Sequence, residues 1–406
     1  DRLGSASEGE RRLAASLRRL IEVVNGQAGS KAIETSGGTA LMVESYARQS
    51  RYDLEGALEA ARRAITEAPD FGFGWVRVAE LEFGFGRVEE AVAALDRGVS
   101  LSPKNAQAVA LRGYMAAAEN DIAGAQQYFQ EAIDIDGSLG NAWLGLGLTK
   151  IRQGNLADGR LDLQSAAALE PNRAMIRSYL GKAWSEEYDN ERALKEMELA
   201  KRLDPNDPTS WLYTALVKKE ENQINEAVED LEISKLLNKN RRLYRSQLLV
   251  DQDRAVRGVN LASIYRDAGM IDFSIREAGR AVNNDYANGA AHLFLANAYY
   301  ERRDLRLVNN RFETPWLNEL LLANLLTPVG ARALSQNVSL QEYSKLFEEQ
   351  GLGFSTTTDY FSNGNWSEYA SQYGSFKDID YAIDAVHLNL NGERPNNDFE
   401  STTIYG

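Results

Sequence analysis

His292 and His387 are the only histidines among 406 residues, and the chain has no cysteine. Nucleophilic and acid–base chemistry near neutral pH lean on these two residue types, so the supply of reactive groups is thin. Neither histidine has a serine, cysteine or metal-ligand partner close by in sequence, which leaves a nucleophilic triad or a histidine-rich metal centre without support. Missing cysteines exclude disulfides and thiolate-bound metals, and leave the redox compartment open. The acids Glu186, Glu187, Asp189 and Glu191 could supply paired carboxylates, but such a run reads first as a solvated turn. Gly145 and Gly147 fall inside a helical pattern and match no phosphate-cradling loop. Asn337-Val338-Ser339 and Asn365-Trp366-Ser367 fit the glycosylation acceptor, a pattern short enough to arise often by chance. No catalytic, cofactor or metal site is expected. An enzyme using carboxylates alone would need a polar cleft near residues 242–254.

The elements that hold these residues are set by a period. Proline recurs at Pro69, Pro103, Pro171 and Pro205, spaced by one or two units of 34 residues, and tryptophan at Trp75, Trp143 and Trp211, spaced by two. A repeat of this length marks stacked helix-turn-helix units, because one helical pair cannot bury its own apolar face and passes it to the next. Folded at 34, the sequence gives five ungapped units starting at Gly72, Ala106, Gly140, Ala174 and Pro208.

The unit from Gly140 carries Trp143, Leu146, Gly147, Gly154, Gly159, Leu163, Ala166 and Pro171. Its neighbours repeat the pattern with Trp75, Ala79, Ala91, Leu95, Gly98 and Pro103, then Gly113, Ala125, Phe129 and Ala132, then Leu180, Gly181, Ala193, Met197 and Ala200, then Trp211, Ala215, Ala227, Leu231 and Ser234. In this register the units resemble the tetratricopeptide repeat (TPR): large at place 4, small at 8, 20 and 27, large or aromatic at 24, proline at 32. The types follow from packing, since small residues let two antiparallel helices approach, large ones fill the gaps between layers, and proline stops the second helix. His292 occupies place 4, so a packing role is the expectation for it.

The array extends less regularly at both ends. Ala57, Ala61, Ala64 and Pro69 match a second helix, although residues 46–55 read about two residues too long for the usual turn. Residues 242–254 read as an insertion, followed by Leu261, Ala262, Tyr265, Gly269, Ile271, Ser274 and Ala281. A last first helix appears at His292, Leu295, Ala296 and Tyr299 without a recognisable partner. The expectation is seven full units and a degraded eighth.

Before the array, Leu13, Leu17, Leu20, Ile21 and Val24 give a helix from Glu8 to Val24, followed by a linker over 27–38. After it, Pro315 opens a helix through Leu326, and Ser339 with Glu342 has capping-box spacing before a short helix ended by Gly351. The period then changes from 3.6 to 2. Phe354, Thr356, Thr358 and Tyr360 alternate with smaller or polar residues, Asn363-Gly364 is a hairpin signal, and further strands run over 366–373, 379–390 and 399–405. The fold expected is mainly α: a right-handed α-solenoid of TPR hairpins followed by a C-terminal antiparallel β-meander. Its segments are 1–37 (helix and linker), 38–304 (solenoid), 305–350 (helical connector) and 351–406 (four strands).

Residues 340–405, especially Gln341-Glu342-Tyr343 and Glu393-Arg394-Pro395-Asn396-Asn397-Asp398, are similar to a junction between repeats and a barrel in bacterial envelope proteins. The resemblance implies a bacterial envelope location and an outer-membrane association. Four strands cannot close, since about eight make the smallest usual barrel, so further strands would come from a continuation or other subunits, or the sheet stays open. An unpaired edge at 399–405 would be a template for self-association. The chain begins at Asp1 and not at methionine, which fits a removed leader or a piece of something longer.

Resemblance to the repeat family also places a partner groove on the first helices, chiefly at places 2, 5, 9 and 12. There the sequence puts Phe73, Val76, Phe83, Tyr114, Leu144, Leu148, Ile151, Met175, Lys182, Leu212 and Leu216. That lining suits an amphipathic helix or an extended apolar segment. The family's lysine and asparagine clamp for a terminal carboxylate is not carried over, because place 9 holds Tyr114, Leu148 or Leu216. A net charge of −14 argues against nucleic acid or an anionic membrane surface as partner, and no run of about eighteen apolar residues suggests a spanning helix. The favoured function is therefore a non-enzymatic scaffold docking a protein or peptide segment. The alternative is a structural subunit assembling into a filament or oligomer. Aspartate at Leu144, Leu148 and Leu216 is expected to abolish partner binding and spare the helices.

Overall fold

The computed structural model describes residues 7–24, 37–118, 121–238, 250–302, 313–326, 351–361, 364–376, 379–391, 396 and 398–405. These residues form α1 (Glu8–Val24), α2 (Gly38–Gln49), α3 (Leu54–Glu67), α4 (Gly72–Gly84), α5 (Val88–Leu101), α6 (Ala106–Ala118), α7 (Ile122–Ile135), α8 (Gly140–Arg152) and α9 (Leu156–Leu169). They continue as α10 (Ala174–Glu186), α11 (Asn190–Leu203), α12 (Pro208–Glu220), α13 (Ile224–Leu237), α14 (Val250–Asp267), α15 (Ile271–Asn284), α16 (Gly289–Arg302) and α17 (Pro315–Leu325). Four strands follow: β1 (Gly351–Tyr360), β2 (Trp366–Phe376), β3 (Ile379–Leu390) and β4 (Phe399–Tyr405). The chain divides into two compact units, Asp1–Val217 with Leu236–Leu248, and Lys218–Lys235 with Leu249–Gly406.

Within the first unit the 34-residue period has a structural cause at each step. The turn between paired helices needs one left-handed residue, and it falls at Tyr52, Gly86, Gly154 and Tyr188, with φ of 67°, 78°, 89° and 62°. Tyr52 lies one period before Gly86, so residues 46–55 are in register and not too long. Tyrosine stands there where Gly86 and Gly154 serve in later hairpins, a substitution with a strain cost. Aspartate then caps the second helix, Asp53 accepting from Gly56 N–H, Asp121 from Gly124 N–H and Asp189 from Arg192 N–H.

Paired helices approach most closely where glycines face each other. A Cβ added to Gly147 would meet the Gly159 carbonyl oxygen at 2.7 Å, and one added to Gly159 would meet that of Gly147 at 2.6 Å. The large residue at place 4 then ties each hairpin to the one before. Trp75, Trp143 and Trp211 each donate the indole N–H to the backbone carbonyl six residues earlier, at Pro69, Gly137 and Pro205, over 2.8, 3.0 and 3.1 Å. Arg177 makes the same bond to Pro171 with its guanidinium, and the His292 ring reaches the carbonyl of Tyr286, also six residues back. The conserved geometry is the bond and not the side chain.

In the second unit, α14 packs on α15, α15 on α16, and α16 on α17. Residues 250–254 are helical and lengthen α14 to 18 residues, against 13 in α8, so the insertion expected over 242–254 ends as the first turn of that helix. One sequence expectation is corrected in this unit. The last hairpin does have a second helix, namely α17, which packs against α16. It was unrecognisable because residues 303–314 replace the usual three-residue turn. The capping-box helix at 339–350 and the Asn337 acceptor lie outside the described residues, and Gly351 opens β1.

The sheet has the order β1-β2-β3-β4, every neighbour antiparallel. Its register pairs Phe354 with Gln372, Gln372 with Ile383, and Ala385 with Ile404. β2 runs three residues beyond the expected end, while β3 and β4 match their expected bounds. Strand residues alternate between two faces, and both faces mix apolar with polar side chains, Thr356, Thr358, Glu400 and Thr402 being exposed on the same face as Phe354 and Ile404. Ser367, Ser371 and Asp384 are buried on one face with Tyr373, Val386 and Leu388, whereas Leu352, Phe354, Tyr360, Ile383 and Ile404 are exposed on the other. Helix α17 packs against β2 and β3.

Candidate functional site: the first-helix layer

The first helices form the more buried layer. In α8, Gly140, Ala142, Leu144, Gly145, Leu146, Gly147 and Thr149 are buried, against Gly159, Asp162, Leu163, Ala166 and Ala167 in its partner α9. A first helix touches its own partner and the flanking hairpins, so most of its circumference is occupied.

The predicted site residues separate accordingly. Val76, Leu144, Leu212 and Leu216 are buried, at 4%, 1%, 2% and 8% exposure. Val76 belongs to the core of α3, α4, α5 and α6, and Leu144 to that of α8, α9 and α10. Aspartate at Leu144 or Leu216 would therefore strike the core as well as any surface. Leu148, Ile151 and Met175 are half-buried and gather against the Leu144 cluster. Phe83 is half-buried beside the Val76 cluster, while Phe73 is exposed and tilts against Phe71 at 6.2 Å. Lys182 holds its ammonium 5.3 Å from the centre of the Tyr213 ring and 3.7 Å from Glu186.

Tyr114 is fixed at both ends. Its ring meets Phe129 edge-on at 4.9 Å, and its hydroxyl donates to the Asn141 carbonyl over 2.8 Å. Burial pushes its ionisation well above the ordinary tyrosine range, so it acts as a neutral donor.

Two features of this layer were missed from sequence. Arg77, 2% exposed, donates to Ser45 over 3.0 Å and Gln49 over 2.5 Å, pairs with Glu80 at 2.8 Å, and stacks 3.8 Å over Tyr46. The phenol of Tyr46 is raised by burial, then by the Glu80 charge. Arginine in the otherwise apolar face of α4 was the available signal. The second is a bond from Asn206 to the Tyr52 hydroxyl over 2.9 Å, joining turns 154 residues apart within the first unit. No local pattern announces it.

The residues first considered for chemistry are dispersed. Glu186 lies near Lys182, Glu187 pairs with Arg160 at 2.8 Å, Asp189 caps α11, and Glu191 pairs with Lys195 at 2.6 Å. The bond from Lys195 lowers the Glu191 carboxyl further. His387 contacts the Thr402 hydroxyl over 2.8 Å and packs on Trp366 at 4.6 Å. Among the described residues no three His, Asp or Glu side chains group to hold a metal ion, and no helix is long and apolar enough to cross a membrane.

These hairpins define the class as an α-solenoid of stacked helical pairs. The tetratricopeptide repeat family model matches residues 78–139 and 144–208, so the chain carries tetratricopeptide repeats. Anaphase-promoting complex subunit 3 of Schizosaccharomyces pombe is 25% identical over 114 residues, covering 28% of this chain and 17% of that protein. The crystal structure of the APC/C hetero-tetramer Cut9-Hcn1 aligns over 82% of this chain and 63% of its own, with a TM-score of 0.64 at 16% identity. That likeness is one of fold. A tetratricopeptide repeat protein from Parabacteroides merdae aligns over 64% of this chain and 98% of its own, at 14% identity and a TM-score of 0.43. The chain thus spans less than two thirds of the first two relatives.

Proposed function

We propose that this chain is a non-enzymatic scaffold of a bacterial envelope whose first-helix layer docks an apolar protein segment and whose strands form part of a β-barrel. Tetratricopeptide repeats suit protein–protein interaction, and this much follows from the repeats themselves. The observation carrying the finer reading of the groove is the half-open row Leu148, Ile151 and Met175, apolar side chains whose inner parts rest on a core and whose outer parts do not. Such a row offers contact area without unsatisfied polar groups, which fits an amphipathic helix or an extended apolar peptide. Glutamate at Leu148 and Met175 together, spared at Leu144, is expected to weaken binding of model amphipathic peptides at least tenfold with helicity retained, about 1.4 kcal/mol or more. Unchanged affinity in the doubly substituted protein would remove the groove from the proposal.

The barrel part is supported by the exposed large apolar side chains Leu352, Phe354, Tyr360, Ile383 and Ile404, which share one face with Thr356, Thr358, Glu400 and Thr402 and would gain cover against hydrocarbon. Expressed in a bacterium, the full chain is expected to sediment with outer membranes and to be released by deletion of residues 351–406. A chain found wholly in the soluble fraction would overturn it. Self-assembly is the second reading, favoured by one detail: β4 pairs only with Asp384–Leu390 of β3, leaving the Ile379–Ile383 side of β3 without β4. Filaments seen by electron microscopy would select it.

A further inference from the structure

Stacked hairpins ordinarily touch only their sequence neighbours, and the packing within the first unit follows this rule, α3 against α4, α7 against α8 and α9 against α10. One bond departs from it. The side-chain amide of Asn206, in the connection between α11 and α12, donates over 2.9 Å to the hydroxyl of Tyr52, in the turn between α2 and α3. The two residues lie 154 apart in sequence, more than four repeats. A stack brings hairpins so distant into contact only by curving back on itself.

Both ends of the bond are firmly presented. In the first turn, Tyr52 N–H donates to the Gln49 carbonyl over 2.9 Å, Asp53 N–H donates to that of Arg48 over 3.0 Å, and the Asp53 carboxylate accepts from Gly56 N–H. In the connection, the Asp204 carboxylate accepts from Asn206 N–H over 3.0 Å, the Pro205 carbonyl accepts from the Trp211 indole over 3.1 Å, and the Asp207 carboxylate accepts from Thr209 N–H over 2.9 Å. Two prebuilt turns therefore meet through one side chain each. The residue types agree with such a use. Tyr52 has a φ of 67°, a left-handed backbone that strains tyrosine and that Gly86 and Gly154 adopt without cost. The hydroxyl gives tyrosine a bond at this place that glycine cannot make. Tyr188 repeats the strained place in the turn between α10 and α11, but its side chain stands in solvent at 91% exposure.

We propose that Tyr52 and Asn206 form a clasp that closes the first unit's solenoid on itself, fixing how far its hairpins turn, and that the clasp parts without unfolding any hairpin. One neutral hydrogen bond shifts an equilibrium by about tenfold at most, so a clasp of this strength biases the curvature and does not lock it. It bears on docking only through that curvature, and its test is a distance, independent of whether any segment binds.

The chain has no cysteine, so nitroxide labels attach only at cysteines introduced for them, and Glu55→Cys with Arg202→Cys places one exposed label on each side of the clasp. Pulsed electron paramagnetic resonance on the full chain then reads the separation. This labelled parent should give one dominant, narrow, short distance. Tyr52→Phe and Asn206→Ala should each broaden it and raise the ratio of long to short distances by about three- to tenfold, with helical content by circular dichroism unchanged. Tyr52→Gly should open as far and keep its turn, because glycine takes the left-handed place freely. Tyr188→Phe, the matched tyrosine, should leave the peak where it was. A Tyr52→Phe distribution that superimposes on the parent, a parent without a dominant short distance, or a Tyr188→Phe variant that opens as Tyr52→Phe does would each overturn the proposal.

Discussion

The hairpin α8/α9 and the sheet β1–β4 solve opposite problems. In the hairpin, Leu144 and Leu163 are buried beside glycines that admit close approach, and Arg160 at the margin pairs with Glu187 at the end of α10. In the sheet, Ser371 and Asp384 lie inside while Phe354 and Ile404 stand out at 67% and 71% exposure. One region has its environment built in by its neighbours, whereas the other presents apolar surface that calls for surroundings of its own. The repeats therefore carry their own cover, and the sheet leaves large apolar side chains open.

Leu144→Ala is the severest trial of this contrast. A wholly packed leucine shortened to alanine should cost about 2–5 kcal/mol, seen as an earlier urea midpoint by circular dichroism. Leu148→Ala, half open, should cost well under that. Equal losses would mean that the two positions are not core and rim.

Gly147→Ala probes the close approach, with an expected loss of about 1–3 kcal/mol because the Gly159 carbonyl, being backbone, cannot swing aside. Trp143→Phe keeps an aromatic ring, though a smaller one, and removes the donor to the Gly137 carbonyl, a bond whose loss should cost about 1 kcal/mol. A loss much above that in Trp143→Phe would show that the indole packs more than it bonds.

How much of this was legible depended on whether a requirement was local. The places of Trp75, Trp143 and Trp211 could be read because each hairpin must meet its neighbour in the same way, and α1, β3 and β4 could be bounded from periodicity alone. The pairing of α17 with α16 could not, since a long connection hides the period. At the candidate site the lining residues were legible but their openness was not. Whether Leu144 faces a groove or a neighbour depends on how far adjacent hairpins turn, which no single helix encodes. The contact between His292 and Glu319 was hidden for a related reason, its two residues lying 27 apart in sequence.

The smallest effect on folding is expected from Phe354→Ser. The side chain already meets solvent, its cross-strand neighbour Gln372 is polar, and serine sits comfortably in this sheet, so urea stability should move by no more than about 0.5 kcal/mol. The sharper readout is membrane retention. If the outward face meets hydrocarbon, replacing an aromatic ring by a hydroxyl removes apolar contact there, and Phe354→Ser together with Ile404→Ser should shift the chain from the membrane toward the soluble fraction while the sheet remains folded. Large destabilisation of the purified chain in water would instead mean that Phe354 is covered by protein, and the contrast between the two regions would dissolve.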